Sequence, residues 1–392
     1  MMTAAGAKDF PGKITEIISL SFISVFLLSG GAAAVAYENH TVKLICLGIY
    51  VSAAVFFGML HPEKKAGFIA LSLTALTASV SLSGIFNPDL NSTLKTEQVY
   101  MFLNIIFIVI LLQAAPVKVK KASLIIVLSA AVSVAAGLAQ AAFFAAGEGV
   151  LFKDYFGGRV YSLFGNPDNF AVFLVFCAPF ILQKSGSAGY KFKFILFLLS
   201  ALSVFLTKSA AGTAVFCAVS AAVLIIQSKD KKKALALAAV IMTAAVLVSV
   251  FILNTKKDSV FIRVLLWKAS VKMAAAQPLF GVGAANFRVQ SPYYQALVYD
   301  KDSNNFYKPH DEAYSHNDYL QVLAETGIVG FIFFILALTA CVISLYRARS
   351  FTALAALSGI LAFAFTHFPF NIPYFAVLFF VTAAVFGKDI MA

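Results

Sequence analysis

The sequence predicts an all-α, polytopic membrane helical bundle of about twelve transmembrane helices with one long polar loop, and three observations predict it. The 392 residues are 61% hydrophobic and 12% charged, with mean hydropathy +0.88, whereas a soluble domain holds roughly 25% charged residues. Apolar stretches of about 20 residues, the length that crosses a hydrocarbon core of roughly 30 Å, follow one another with short polar breaks between them. The lysines and arginines gather in those breaks, so the net charge of +12 orients a chain in membrane lipids and does not mark a nucleic-acid binder.

Spans are expected at 14–36, 42–60, 66–86, 99–115, 123–146, 170–182, 194–206, 210–227, 234–253, 327–346, 351–367 and 374–387. Seventeen of the 30 lysines and arginines then fall on the side of the termini, in clusters such as Lys229 to Lys233, against five in the opposite short loops (Lys43, Lys95, Lys153, Arg159, Lys208). By the positive-inside rule both termini lie in the cytoplasm and the long loop 254–318 lies outside. The first apolar run is too long for a signal-peptide core and is expected to stay as an anchor. No linker or repeat divides the chain, which reads as a single integral membrane domain over 1–392. Small residues in 66–86 and 123–146 suit helices packed against protein. Cys46, Cys177, Cys217 and Cys341 sit in apolar runs without a C-x-x-C pair and are expected to be small core residues.

The outer breaks are 148–169, 206–212 and 254–318. Within the last, RVLLWKASVKMAAA (263–276) is expected to form a surface helix with Val264, Leu265, Trp267, Val271 and Ala275 near one apolar face. The loop ends in Tyr314-Ser315-His316-Asn317-Asp318, where a helix begins. Ser315 or Asn317 can cap it, Asp318 suits its dipole, and His316 is then expected beside unpaired backbone N–H groups that favour an anion. A neutral imidazole there is placed to take a proton from a hydroxyl. Two readings stay open for His316, an interfacial capping residue and a base. Asp300, Asp302, His310, Asp311 and Glu312 read as solvated loop charge or acceptor contacts, with acid–base work as the alternative. Tyr293, Tyr294, Tyr299, Phe306, Tyr307 and Tyr314 read as an interfacial aromatic belt, or as stacking surfaces for sugars. His367, beside Phe368-Pro369-Phe370, reads as a packed core histidine, and Glu325 is expected to have a partner because it lies at membrane level.

His316-Asn317, nine residues, then Gly327-x-x-Gly330 resembles the signature of the O-antigen ligase family. The resemblance extends upstream to Arg263-x-x-x-Trp267, to the turn Gln277-Pro278-Leu279-Phe280-Gly281-Val282-Gly283-Ala284-Ala285-Asn286-Phe287, and to Phe164-Gly165-Asn166-Pro167-Asp168-Asn169. It implies a metal-independent, cofactor-free glycosyltransferase of the helical-bundle type called GT-C, in the bacterial inner membrane. The implied donor is a glycan on undecaprenyl pyrophosphate, and the implied acceptor is a sugar hydroxyl of lipid A–core, met at the periplasmic face. The task needs a base at the acceptor and cations at the diphosphate, which His316 and Arg263 supply by type. Asn317, Trp267, Gly281, Gly283, Gly327 and Gly330 carry over as substrate-binding positions. One departure stands out: where the family often has Thr-x-Ser-Arg-Gly, this chain reads Thr207-Lys208-Ser209-Ala210-Ala211-Gly212, with Ala210 at the arginine's place. Lys208 is the favoured substitute, with Arg159 or Arg288 as alternatives. A polymerase of the same family is the runner-up function. A transporter or flippase fits less well, since its polar sites lie near the midplane.

Overall fold

The computed structural model describes residues 117–147, 154–184, 188–255, 257–299 and 311–387, together with Leu76, Thr77, Ile105 and Val109. The four spans expected before residue 117, Cys46, Asp300, Asp302, Phe306, Tyr307 and His310 otherwise lie outside the described residues. Among the described residues every regular element is helical. In order they are α1 (Val119–Ala145), α2 (Pro167–Leu182), α3 (Tyr190–Leu206), α4 (Ala210–Gln227), α5 (Lys231–Asn254), α6 (Lys257–Ala276), α7 (Phe287–Val298), α8 (Asp318–Arg347), α9 (Phe351–Phe363), a 3₁₀ turn (Pro369–Asn371) and α10 (Pro373–Phe386). Four of these, α1, α4, α5 and α8, are long and apolar enough to cross a membrane, and α2, α9 and α10 are shorter apolar helices.

The bundle is arranged around α2. Phe170, Phe173, Phe176 and Phe180 of this helix are fully buried, with α1, α3, α4 and α9 packed about it. Its start is set locally: Asn166 accepts from Asp168 N at 2.8 Å, and Pro167 occupies the first turn, where a missing N–H costs nothing. The polar breaks sort to two ends. At one end Lys184 Nζ donates to Gln227 O at 3.1 Å and Lys193 Nζ donates to Gln183 O. At the other, Arg159 Nε donates to Thr207 O at 2.8 Å and Asp318 N to Ala364 O at 3.0 Å. The segments 154–166, 206–209, 311–317 and 364–371 therefore share one end, as alternating up-and-down helices require.

Three expectations change. First, the span expected at 327–346 is the later part of α8, which starts at Asp318 and breaks at Gly327 (φ 64, ψ −168). Second, the expected 351–367 span stops at Phe363 in α9, so His367 lies beyond the helix. Third, α6 is longer than expected and has a second apolar side, which is the one it buries in protein. Leu265, Leu266, Ala269, Ser270 and Met273 are buried, whereas Val264 and Val271 are 41% and 55% exposed. The reason is that α6 is apolar on two sides. The side that counts packs Leu266, Ala269 and Met273 against Val282, Phe287, Tyr294 and Ala324 in a second small core. The other side leaves Val264, Trp267, Lys268 and Val271, with Val298 of α7, lining an open groove of about 420 Å³. Helix α7 was not expected, its pattern being obscured by Pro292 inside it.

The break in α8 is filled by the turn that follows α6. Ala324 O and Glu325 O accept from Val282 N (2.9 Å) and Gly283 N (3.0 Å), while Ile328 N and Val329 N donate to Pro278 O (2.8 Å) and Leu279 O (3.3 Å). A helix interrupted at one residue would leave such groups unpaired in a buried place, and here the turn takes these four. The two chains approach so closely that a Cβ on Gly327 would lie 2.3 Å from Leu279 O, and one on Gly281 2.4 Å from the Glu325 carbonyl carbon. Both glycines have φ above +60°, where a side chain is strained as well. Gly327→Ala and Gly281→Ala are each expected to cost at least about 2 kcal/mol, read as a lower unfolding temperature of the detergent-solubilised protein. A variant that melts with the wild type would show that the joint bears no load.

Candidate functional site

The first turns of α2, α4 and α8 meet at the end of the bundle shared by 154–166 and 364–371. Each is capped by its own side chain: Asn166 for α2, Ser209 (accepting from Gly212 N at 3.2 Å) for α4, and Asn317 (accepting from Leu320 N at 3.0 Å) for α8. Convergent helix N-termini make a region of positive potential. Into it come two guanidinium groups and two imidazoles.

Arg159 is held from two directions. Its Nε donates to Thr207 O, and its Nη2 lies 3.2 Å from Asp168 Oδ1. That second contact is off the line of a hydrogen bond, and Nη2 is otherwise buried without a partner among the described residues. Both side chains keep some exposure, 18% and 17%. Asp168 also accepts from the Ser209 hydroxyl and feels the charges of Arg263 and His367. His367 in turn feels Asp168, His316, Arg263 and Arg159. Arg263, His316, Arg159, Asp168 and His367 thus form one electrostatic cluster, assembled from α6, the 311–317 segment, the 154–166 segment, α2 and the turn after α9.

His316 adopts a left-handed backbone (φ 55) that an imidazole tolerates better than a β-branched side chain does. Its ring stands edge-on to Phe368 at 5.0 Å and 6.2 Å from the His367 ring. Its Nε2 is 3.9 Å from Glu312 Oε2, and its Nδ1 is shut off from solvent with no hydrogen-bond partner among the described residues. The expected bed of free N–H groups beside it is mostly spent: Asp318 N donates to Ala364 O and Leu320 N to Asn317 Oδ1. Asp318 itself is a tie and not a dipole partner alone, since Oδ2 accepts from Phe370 N (2.8 Å) and Oδ1 from Asn371 Nδ2 (2.6 Å). Tyr314 stacks on Phe368 at 4.2 Å, which fixes the turn of the 311–317 segment against 364–371.

The other expected site residues fall elsewhere. Lys208 is exposed, at a φ of 51°, with Nζ 3.4 Å from Gly157 O. Arg288 makes a two-pronged pair with Asp311 (3.0 and 2.8 Å) on the surface, and that bonding pulls the Asp311 carboxyl below its usual range. Trp267 lines the α6 groove with its Nε1 buried and unpartnered among the described residues. Gly281 and Gly327 carry the joint with α8, and Gly330 leaves room for the Thr326 side chain, whose Oγ1 would lie 2.2 Å from an added Cβ. Gly283 belongs to the same turn at φ 103°. Glu325 has the partner expected of it: Oε1 accepts from Phe287 N at 3.0 Å, at the head of α7. Two members of the cluster, Asp168 and His367, were not singled out as site residues from the sequence. The available signal was Asn166-Pro167-Asp168-Asn169, in which the second and third residues after the cap face the site.

Residues 195–335 match the family model described as O-antigen ligase. Over those residues the chain is similar to the O-antigen ligase family. No curated protein matches it. The matched stretch runs from α3 into α8 and holds the Thr207 turn, Arg263, the 277–283 turn and the His316 signature. The O-antigen ligase assignment brings an enzyme of glycosyltransferase or ligase type, acting on glycans and lipid-linked substrates, in a membrane protein. Arg159, Asp168 and His367 lie outside the matched residues and complete the cluster in space.

Asn317→Ala is expected to lose the α8 cap and about 1 kcal/mol of stability, with Asn317→Ser recovering both stability and activity. Recovery of stability without activity would mean that the Asn317 amide does more than cap.

Proposed function

We propose that the protein transfers a glycan from undecaprenyl pyrophosphate to a hydroxyl of an acceptor glycan, of which lipid A–core is the type, at the periplasmic face of the bacterial inner membrane, both termini being cytoplasmic. The bundle is GT-C-like and the reaction needs no metal ion. The observation that carries this reading is the gathering of Arg263, Arg159, His316 and His367 at one end of the bundle, within a domain of O-antigen ligase type.

The chemistry follows from those groups. The acceptor oxygen forms a bond to the anomeric carbon as the bond from that carbon to the diphosphate oxygen breaks. His316 takes the acceptor's proton on its imidazole ring, and Glu312, 3.9 Å from Nε2, stands where it can offset the imidazolium that forms. Undecaprenyl pyrophosphate leaves with the electron pair, and positioned cations stabilise the growing charge. Arginine suits this because its planar fork binds two phosphate oxygens and stays charged. Arg263 is one such cation. Arg159 is the other, and it answers the missing arginine at Ala210: it reaches from a different loop to the very turn, hydrogen-bonding Thr207 O, with Asp168 beside its Nη2. Lys208 is the weaker candidate, being exposed and turned to Gly157. Arg288, spoken for by Asp311, is given no part. Asp168 is a positioning residue that holds Arg159.

His316→Ala is expected to lower transfer at least about 100-fold while the protein still inserts. Arg263→Lys recovers little, because an ammonium cannot make the two-oxygen contact. Arg159→Ala is expected to cost more than Lys208→Ala, measured as transfer from a lipid-linked donor; the reverse order would return the role to Lys208. Chelators leave the rate unchanged, and a chelator-sensitive rate would count against the scheme. In a deletion strain, full-length lipid-linked chains accumulate if the enzyme is a ligase, and single lipid-linked repeats if it is a polymerase.

A further inference from the structure

Two imidazoles share the site, and each is engaged at one nitrogen only. His367 meets Asn169 Oδ1 through Nε2 at 2.9 Å. An amide oxygen only accepts, so Nε2 of His367 carries the hydrogen and Nδ1 keeps a lone pair. That Nδ1 is closed to bulk solvent and has no hydrogen-bond partner among the described residues, like Nδ1 of His316 6.2 Å away ring to ring. The rest of the His367 ring lies against Phe363 and Phe368, at 5.5 and 4.2 Å. A residue wanted there for packing alone would be better served by another phenyl ring, which buries no unpaired acceptor.

We propose that His367 binds the acceptor substrate, its Nδ1 taking a hydrogen bond from a hydroxyl next to the one that His316 deprotonates. This rests on the transfer reaction proposed above and adds a specificity contact to it: the site selects a glycan end with two neighbouring hydroxyls. The lone pair stays unprotonated over the whole working range, because burial pushes the His367 pKa down to about 3, and the charges facing it are Asp168 of α2, which pulls upward, and His316, Arg263 and Arg159, which push down.

The test uses membranes of the source bacterium lacking the native protein, in which both natural substrates are present, supplemented with full-length variants. His367→Ala slows transfer at least about tenfold, and His367→Asn, whose amide oxygen offers a neutral acceptor in the same region, recovers most of it. Asn169→Asp is the sharper variant. A carboxylate at Nε2 favours the imidazolium, whose Nδ1 donates, so this variant loses activity relative to wild type as pH falls from about 8 to about 6 and regains it as pH rises. A purely structural tie would show no such added limb. Solid-state NMR of histidine-labelled wild type supplies a readout free of activity, with His367 expected as the Nε2–H tautomer. A protonated Nδ1, an Asn169→Asp profile that tracks wild type, or an unimpaired His367→Ala protein of wild-type thermal stability each overturns the inference and leaves the transfer reaction standing. Wild-type protein that restores no transfer to these membranes overturns both.

Discussion

The structure depends on an exchange of backbone hydrogen bonds between a broken helix and a turn. Where α8 gives up its own ladder at Gly327, the 277–283 turn accepts from two of its amides and donates to two of its carbonyls. In lipid such groups have no water to turn to, and an unpaired one costs several kcal/mol, so non-helical backbone persists only where protein covers it. The glycines of the two separated motifs meet here. Gly281 and Gly327 each lie against the other segment's backbone at distances that admit no Cβ, and neither motif has a structural meaning without the other.

That joint sets the geometry of the site. α6 runs directly into the turn, so the joint fixes the end of the helix that bears Arg263. The segment before the break, Asp318 to Thr326, carries the His316 cap structure at its head and Glu325 near its foot, where the carboxylate caps α7. A continuous helix would have carried the first two turns of α8 on along one axis. The break lets them turn toward 364–371, where Asp318 bonds Phe370 and Asn371. His316 and His367 come within ring distance through this tie and the Tyr314–Phe368 stack.

The apolar helices from α1 onward were legible because one physical demand, a length of apolar residues, writes itself into consecutive positions. Helix ends were less so. The early part of α8 is too polar to look like a span, and its membership of the helix depends on the joint. The protein-facing side of α6 was not legible for a related reason: with apolar residues on two sides, periodicity alone cannot say which side meets protein and which forms the groove by Trp267. Arg263 and His316 could be picked out because they stand within local motifs. Arg159 was only one of three candidates, since what distinguishes it is a bond to Thr207, 48 residues away. His367 read as core packing, and it is buried as such a residue would be. Its tie to Asn169 spans 198 residues, and no local pattern reports a contact of that separation.

The charge balance of the cluster explains why its members have separate duties. Two guanidiniums at one rim repel each other, and Asp168 offsets them while fixing the nearer one in direction. With Arg159 on one side and the Ser209 hydroxyl on another, the Asp168 carboxylate is committed, which makes it a poor proton acceptor for a substrate hydroxyl. Against Asp168 alone the two guanidiniums leave positive charge for an anionic leaving group, and Glu312 stands apart from them at His316 Nε2. A proton acceptor in such surroundings has to be a group that is neutral when it waits, because a second carboxylate would pair with the arginines and quench the very charge the diphosphate needs. Imidazole meets that condition, and the cluster holds two.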